Sequence, residues 1–245
     1  NKKIPGISRN VNRGVALSTG DILILLNSDV IPHKGFLDPL IAAFADDEVF
    51  AVGCLDESEE QGKVILRGRG IGRWRRGFLE HAAGYIRKRN TLWASGGSSA
   101  FRKSVWDRLH GMDSLYDPFY WEDIDLSYRA LKSGYKVVFC SESVVRHQHE
   151  TGTIQTTFTP FHIKKIAYRN QIIFVWKNIT ETRFLLEHIL TLPYHCVIAI
   201  VTRDWAFLAG LVQASSHFSQ VMKARKIAKK LFVRKDSVIL REHHT

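Results

Sequence analysis

Asp21 to Leu26 reads DILILL, a short unbroken apolar run behind Thr19-Gly20, and its length suits a strand buried on both faces. Ser8 to Leu17 before it reads as a helix ending at Gly20. After it, Pro32 to Ala45 puts Phe36, Leu37, Leu40, Ile41 and Phe44 on one helical face. Val49 to Leu55 predicts a second strand, and Ser99 to Phe101 a third that enters a helix over Lys103 to Leu109. Asp123 to Ser133 predicts another helix, stopped by Gly134, and YKVVFC at Tyr135 to Cys140 a strand after it. Gly62 to Asn90 is rich in Gly and Arg and compatible with a hairpin, but the pattern over 56–95 assigns no structure. Strand and helix signals in alternation predict an α/β fold: a mostly parallel sheet flanked by helices. From Pro160 to Lys230 helical patterns dominate, with breaks at Pro160 and Pro193. A boundary is therefore expected near residue 152, with an α/β unit over 1–152 and a helical appendage over 153–245.

Charge sharpens that division. Residues 151–245 hold 14 Lys and Arg against 5 Asp and Glu, whereas residues 1–150 hold 21 against 19. A basic C-terminal region calls for a polyanionic partner, either nucleic acid or an anionic membrane face. No helix-turn-helix, zinc-finger or RNA-binding signature accompanies the charge, so nucleic acid is not expected. The most apolar stretch, Phe184 to Thr202, carries Glu187, His188, Pro193 and His195 and is expected to lie on a membrane rather than cross it. Cys54, Cys140 and Cys196 are far apart and lack ligand spacing, which predicts free thiols and suits a reducing cytoplasm.

Three constellations can carry chemistry. The first strand runs into Asn27-Ser28-Asp29, and a carboxylate at the end of a buried strand lies where open α/β sheets bind ligands. Asp29 can hold a hard cation whose remaining ligands are substrate phosphates; the plainer account is a turn with a helix cap. Tyr120-Trp121-Glu122-Asp123-Ile124-Asp125 puts three acids at a helix start, which the helix dipole alone would favour. Tyr116, Phe119, Tyr120 and Trp121 crowd the same place and suggest a sugar-stacking wall beside a general base, either Glu122 or Asp123. Asp125 and Arg129 fit a bracing role. Finally, Arg146-His147-Gln148-His149 offers two imidazoles on one side of an extended segment, although surface histidines explain it as well.

In this order the motifs resemble family 2 glycosyltransferases of the GT-A fold, in the rhamnosyltransferase-like branch. The resemblance rests on PGISRNVNRGVALSTGDILILLNSDVIP at 5–32, GGSSAFRKSVWDRLHGMDSLYDPFYWEDIDLSYRALKSGYKVVF at 96–139 and VVRHQHETG at 144–152. It implies that Asp29 and His147, or else His149, bind Mg²⁺ or Mn²⁺, with Asn27 standing where the family has the first acid of its DxD motif. Asp123 falls on the family's general base, with Glu122 and Trp121 toward the acceptor. Gly96, Gly97 and Ser98 fall on the loop lining the sugars, and Arg9 and Asn10 near the nucleotide.

The implied activity is inverting transfer from a nucleotide-diphosphate sugar to a cell-surface glycan or lipid-linked acceptor, in the cytoplasm at the inner membrane face. A degenerate GT-A domain serving as a binding or membrane-docking module is the alternative. The family's strands that precede the DxD motif have no counterpart here. The chain is therefore expected to be an N-terminally shortened form, inactive alone.

Overall fold

A computed structural model of the chain describes residues 6–60, 63–147 and 153–245. The first helix, α1 (Ile7–Leu17), leads into β1 (Ile22–Leu26), β2 (Val30–Pro32) and α2 (Leu37–Ala42), which a 3-10 turn extends to Ala45. Next come β3 (Val49–Glu60), β4 (Lys63–Arg67), the hairpin β5 (Gly70–Arg75) and β6 (Phe78–Ala83), β7 (Ser98–Arg102) and α3 (Lys103–Arg108). After these follow α4 (Glu122–Lys132), β8 (Lys136–His147), α5 (Thr153–Thr157), α6 (Pro160–Asn178), α7 (Thr182–Val201), α8 (Trp205–Ser216), α9 (Phe218–Lys229) and α10 (Asp236–Glu242).

The central sheet has the order β1-β7-β3-β8-β2, with β4 added to the free end of β3. Among the described residues it is mixed rather than mostly parallel: β3 and β8 pair in parallel, while the β1–β7, β3–β7 and β2–β8 pairs are antiparallel. The reason is connectivity. Parallel neighbours need a crossover such as α4, whereas β7 re-enters from the end of the sheet at which β3 leaves, after the β5–β6 excursion, and so runs backwards between β1 and β3. Among the described residues β1 pairs with β7 alone, so it is an edge strand, and Ile24 and Leu26 are exposed on it rather than buried.

Side chains alternate across the sheet as its pleat requires. Val52, Cys54, Ala100, Cys140 and Val145 face α2 and its Leu40 and Phe44. Ala51, Phe101 and Val137 face the larger core, which takes Ile124, Leu126 and Leu131 from α4 and Ile172, Ile173 and Phe174 from α6. That core includes residues from both sides of position 152. Pro32, read from sequence as the start of a helix, instead closes β2, and α2 begins at Leu37. All three cysteines are free thiols.

Helix α6 bonds to the segment that precedes α4. The Asn170 amide donates to the carbonyl oxygens of Tyr116, Phe119 and Tyr120 at 2.8–2.9 Å. The buried Asp125 carboxylate accepts from the Tyr116 hydroxyl, Arg129 Nε, Lys177 Nζ and Asn178 Nδ2, all at 2.7–2.9 Å. Burial alone would raise the Asp125 carboxyl; the Arg129 and Lys177 charges and the Asn178 bond override it and hold it at about 2. From α10, Asp236 accepts from Tyr128 and Lys132 of α4 and from the backbone N–H groups of Thr180 and Glu181. Such pairs are costly to break singly because a charge is left buried. Lys177→Met is expected to lower unfolding free energy at neutral pH by about 3–5 kcal/mol, read from the urea midpoint at unchanged slope.

Candidate active site

Strand register assembles the site. Leu26 of β1 pairs with Ser98 of β7, so the residues just beyond, Asn27 and Gly97, meet: the Asn27 N–H donates to the Gly97 carbonyl at 2.9 Å. Glycine at 97 makes room for the Asn27 side chain, since a Cβ would lie 2.6 Å from Asn27 Nδ2 and push that amide aside. A turn closed by Val30 N–H to the Asn27 carbonyl at 3.1 Å then leads into β2, where Val30 pairs with His147. That pairing brings Asp29 to the end of β8, with Asp29 Oδ2 3.2 Å from His147 Nε2. The other ring nitrogen, Nδ1, lies 2.9 Å from Asp56 Oδ2 on β3. On the far side of the Gly96–Gly97 loop, the Gly96 N–H donates to Asp123 Oδ2 at 3.2 Å. Asn27, Asp29, Gly96, Gly97, Asp123 and His147 therefore form one connected edge, with Ser98 buried behind it. His149 lies outside the described residues.

Asp123 and Glu122 differ in surroundings. Asp123 is deeply enclosed yet keeps a face open to solvent. Burial raises its carboxyl above the ordinary value, against hydrogen bonds from the Gly96 and Ile124 N–H groups. Glu122 is buried, and its Oε2 has no hydrogen-bond partner. Burial, with the Asp123 charge beside it, pushes the Glu122 carboxyl up to about 8. Burial thus raises both carboxyls, and Glu122, beside the Asp123 charge, is the one pushed up to about 8.

A family model described as "Glycosyltransferase like family 2" matches residues 2–159. The chain belongs to the family 2-like glycosyltransferases. An O-antigen chain rhamnosyltransferase of Salmonella typhimurium is 26% identical over 147 residues, covering 58% of this chain and 44% of the relative. A pre-mycofactocin glycosyltransferase of Mycobacterium tuberculosis is 25% identical over 156 residues, covering 61% and 31%. The chain thus spans less than half the length of these curated relatives. Among solved structures, GalNAc-T7 with UDP, GalNAc and Mn²⁺ superposes with a TM-score of 0.68 at 15% identity, over 99% of this chain and 44% of that one. Staphylococcus aureus TarS 1-349 with UDP-GlcNAc gives 0.53 at 11% identity, over 99% and 72%. The fold is that of the GT-A glycosyltransferases.

Within this family 2-like framework the aromatic wall is mostly core. Tyr116 is fully buried on Asp125, Phe119 packs on Tyr120 and Phe158, and the buried Trp121 ring packs on His81 and Phe174 at 5.1 Å each. Tyr120 alone of the four is exposed. Tyr120 and Trp121 have φ of 71° and 76°, two successive left-handed residues without glycine. Each costs energy that surrounding structure must overrule, and the three carbonyls held by Asn170 do so. The left-handed pair turns the chain so that Glu122 and Asp123 open α4 toward the Gly96 loop.

Arg9 and Asn10 stand apart from the Asp29 edge. Gly6, where a Cβ would clash with the Asp117 carboxylate, lets that carboxylate take the Ser8 N–H at 3.2 Å and pair with Arg9 at 3.0 Å. Arg9 then lines a 720 Å³ cleft between α1, the loop after α3, and α9, and Asn10 is exposed. Among the polar groups with structural duty that the sequence motifs did not reveal are Asn12, which exchanges two hydrogen bonds with the Met112 backbone at 2.7 and 3.0 Å, and Asp56.

Because the folded-state pKa of Glu122 is raised, the folded chain binds more protons than the unfolded one between about 4.5 and 8, so Glu122 erodes stability as pH rises through that window. Glu122→Gln should remove this erosion, making the variant more stable than wild type at pH 8 by on the order of 2 kcal/mol and nearly equal at pH 4.5. Thermal melts at the two pH values measure it.

Proposed function

We propose that this chain carries the catalytic centre of an inverting glycosyltransferase, moving a sugar from a nucleotide-diphosphate donor to a hydroxyl of a cell-surface glycan or lipid-linked acceptor. The observation that carries the reading is the single edge on which an Asp29–His147 pair and the enclosed Asp123 face a loop of two glycines. The named activities of the O-antigen and pre-mycofactocin relatives, and the UDP, Mn²⁺ and UDP-GlcNAc in the solved relatives, support it.

Asp123 is the general base. Burial raises its carboxyl, which makes it the stronger base, and its partly exposed side leaves room for an acceptor hydroxyl. Glu122, pushed up to about 8, lies next to it on the acceptor side with its Oε2 buried and unbonded, and Trp121 backs it. The Gly96–Gly97 backbone and Ser98 line the sugars, and Asn27 hydrogen-bonds the donor where the family has an acid.

Asp29 and His147 fit Mg²⁺ or Mn²⁺. Their 3.2 Å separation is close to the roughly 3 Å between adjacent ligands of an octahedral cation with bonds of about 2.1 Å. Among the described residues no three His, Cys, Asp or Glu side chains gather to hold a metal alone, so the diphosphate would complete the shell. When bound, the cation supplies Lewis-acid stabilisation of the charge that builds on the departing nucleoside diphosphate. Arg9 and Asn10 serve the nucleotide side.

The helical region attaches the enzyme to an anionic membrane face. Helix α7 is long and apolar enough to span, with 20 residues and a mean hydropathy of 1.7. Its inner face is nonetheless tied to the β5–β6 hairpin: Glu187 accepts from Trp74 Nε1 and the Gly77 N–H, and the buried His188 meets the Gly77 carbonyl. Its outer face presents Ile189, Leu190, Val197 and Val201, with Leu190 75% and Val201 72% exposed. The inner face also packs Phe184, Leu185, Leu192 and Ala199 on the core, so one side of α7 is held by the domain while the other bares an apolar stripe that can lie along a bilayer. Lys223, Lys226, Lys229 and Lys230 of the basic cluster are exposed beside it, whereas Arg225 turns in to the Trp176 and Ile179 carbonyls.

Asp123→Asn is expected to lower sugar transfer by about 10²- to 10⁴-fold with donor binding intact; retention of a third of wild-type turnover in a steady-state assay rules out the base assignment. Vesicle flotation tests attachment: recovery should be greater on anionic than on neutral vesicles at low salt, and Leu190→Glu with Val201→Glu should reduce it on both.

A further inference from the structure

Asp56 has no place in the motifs, yet it sits against the ring that the metal reading depends on. It lies on β3 just past a register irregularity between Cys54 and Leu55, in the stretch where Asp56 pairs with Val145 and Ser58 with His147 of β8. Its side chain is mostly buried, at 12% exposure. One oxygen, Oδ2, is 2.9 Å from His147 Nδ1, and the other, Oδ1, accepts from the Ser58 hydroxyl at 3.2 Å. The carboxylate is thus oriented by its own strand, and the ring is held from the side opposite Asp29.

We propose that Asp56 is a positioning residue that fixes His147 in the orientation and tautomer needed for cation binding. The proposal rests on the reading of Asp29 and His147 as the cation ligands. An imidazole is a ligand through a nitrogen that carries no hydrogen. Asp56 is the described group on the Nδ1 side that selects between the two neutral tautomers of the ring. With Asp56 accepting the hydrogen on Nδ1, the Nε2 lone pair faces Asp29 across 3.2 Å. A carboxylate behind a ligating histidine also raises the basicity of the ligating nitrogen, and loss of such a partner typically weakens metal affinity about 10- to 100-fold. Asp56 does not reach the Gly96–Asp123 side by any described contact, so its effect is confined to the cation end.

The experiment compares full-length wild type, Asp56→Asn and Asp56→Leu. Mn²⁺ alone is titrated and free Mn²⁺ followed by electron paramagnetic resonance, while ¹⁵N–¹H correlation spectra of the metal-free proteins, recorded with the ring neutral, report which nitrogen of His147 carries hydrogen. Expected are hydrogen on Nδ1 in wild type, a mixture in Asp56→Leu, and a Mn²⁺ dissociation constant raised about 10- to 100-fold in Asp56→Leu. Asp56→Asn, which keeps an accepting oxygen, should fall between. Far-UV circular dichroism and melting establish that the variants are folded, and should Asp56→Leu unfold, the Asn variant alone carries the comparison. Unchanged Mn²⁺ affinity in a folded variant, with wild type binding normally, overturns this proposal and leaves the cation site standing; so does hydrogen on Nε2 in wild type. Failure of wild type itself to bind Mn²⁺, both alone and with UDP present, overturns the cation site, and the proposal with it.

Discussion

Asp125 is a carboxylate with no exposed surface, surrounded by a guanidinium, an ammonium, an amide and a phenol. Two of those partners belong to α6, one to α4 and one to the loop before α4. With that one acid satisfied, α6 cannot move relative to α4, and Asn170 holds the loop carbonyls in the strained path that ends at Trp121. Asp123 occupies its place because Asp125, two residues on, is fixed. Buried ion pairs contribute little net stability when exchanged for apolar packing, but they penalise every arrangement in which a partner is missing. Here that penalty falls on any arrangement in which the loop or α6 departs from this geometry.

The cation end depends on a different constraint, strand register. Asn27, Asp29, Asp56 and His147 come from three strands or the turns beside them, and their distances follow from three pairings: Leu26 with Ser98, Val30 with His147, and Ser58 with His147. Since a shift by one residue turns every side chain to the opposite face, these pairings leave no partial version of the site. The two ends meet only through the Gly96–Gly97 loop, whose backbone touches Asn27 on one side and Asp123 on the other.

The hydrophobic pattern foretold β1, β7, α3 and α4 within a residue or two and the start of β3, because each is a local apolar run, although the burial of β1 is less than its run suggests. It misread Pro32, since a proline before an apolar helical face looks like a first helical turn, and a three-residue strand has too few positions to show alternation. The 63–83 hairpins were illegible because all five residues of β4 are exposed and Gly70 and Gly72 interrupt β5. Among site residues, those in local motifs were readable. Asp56 was not, being 91 positions from His147, and neither was the bracing role of α6. Asn170 and Lys177 within an apolar helix were the one visible hint that α6 answers buried polar groups elsewhere. The aromatic cluster misled in the other direction: chemistry that suits sugar stacking equally suits a core around Asp125.

The order in which these partners are synthesised differs from the order in which they are needed. Asp123 and Asp125 emerge from the ribosome some fifty residues ahead of Lys177 and Asn178, and Lys132 about a hundred ahead of Asp236. At about 5–20 residues per second, Asp125 waits several seconds for its cation and amide, and Lys132 longer for its acid. During that interval the sheet can form from its own residues, but the segment from Tyr116 to Asp123 has nothing to hold its left-handed turn. The edge that carries Asp123 is therefore among the last parts of the nascent chain to mature. Slow translation or chaperone retention over the α6 coding region would bear on the yield of active molecules more than on the yield of folded sheet.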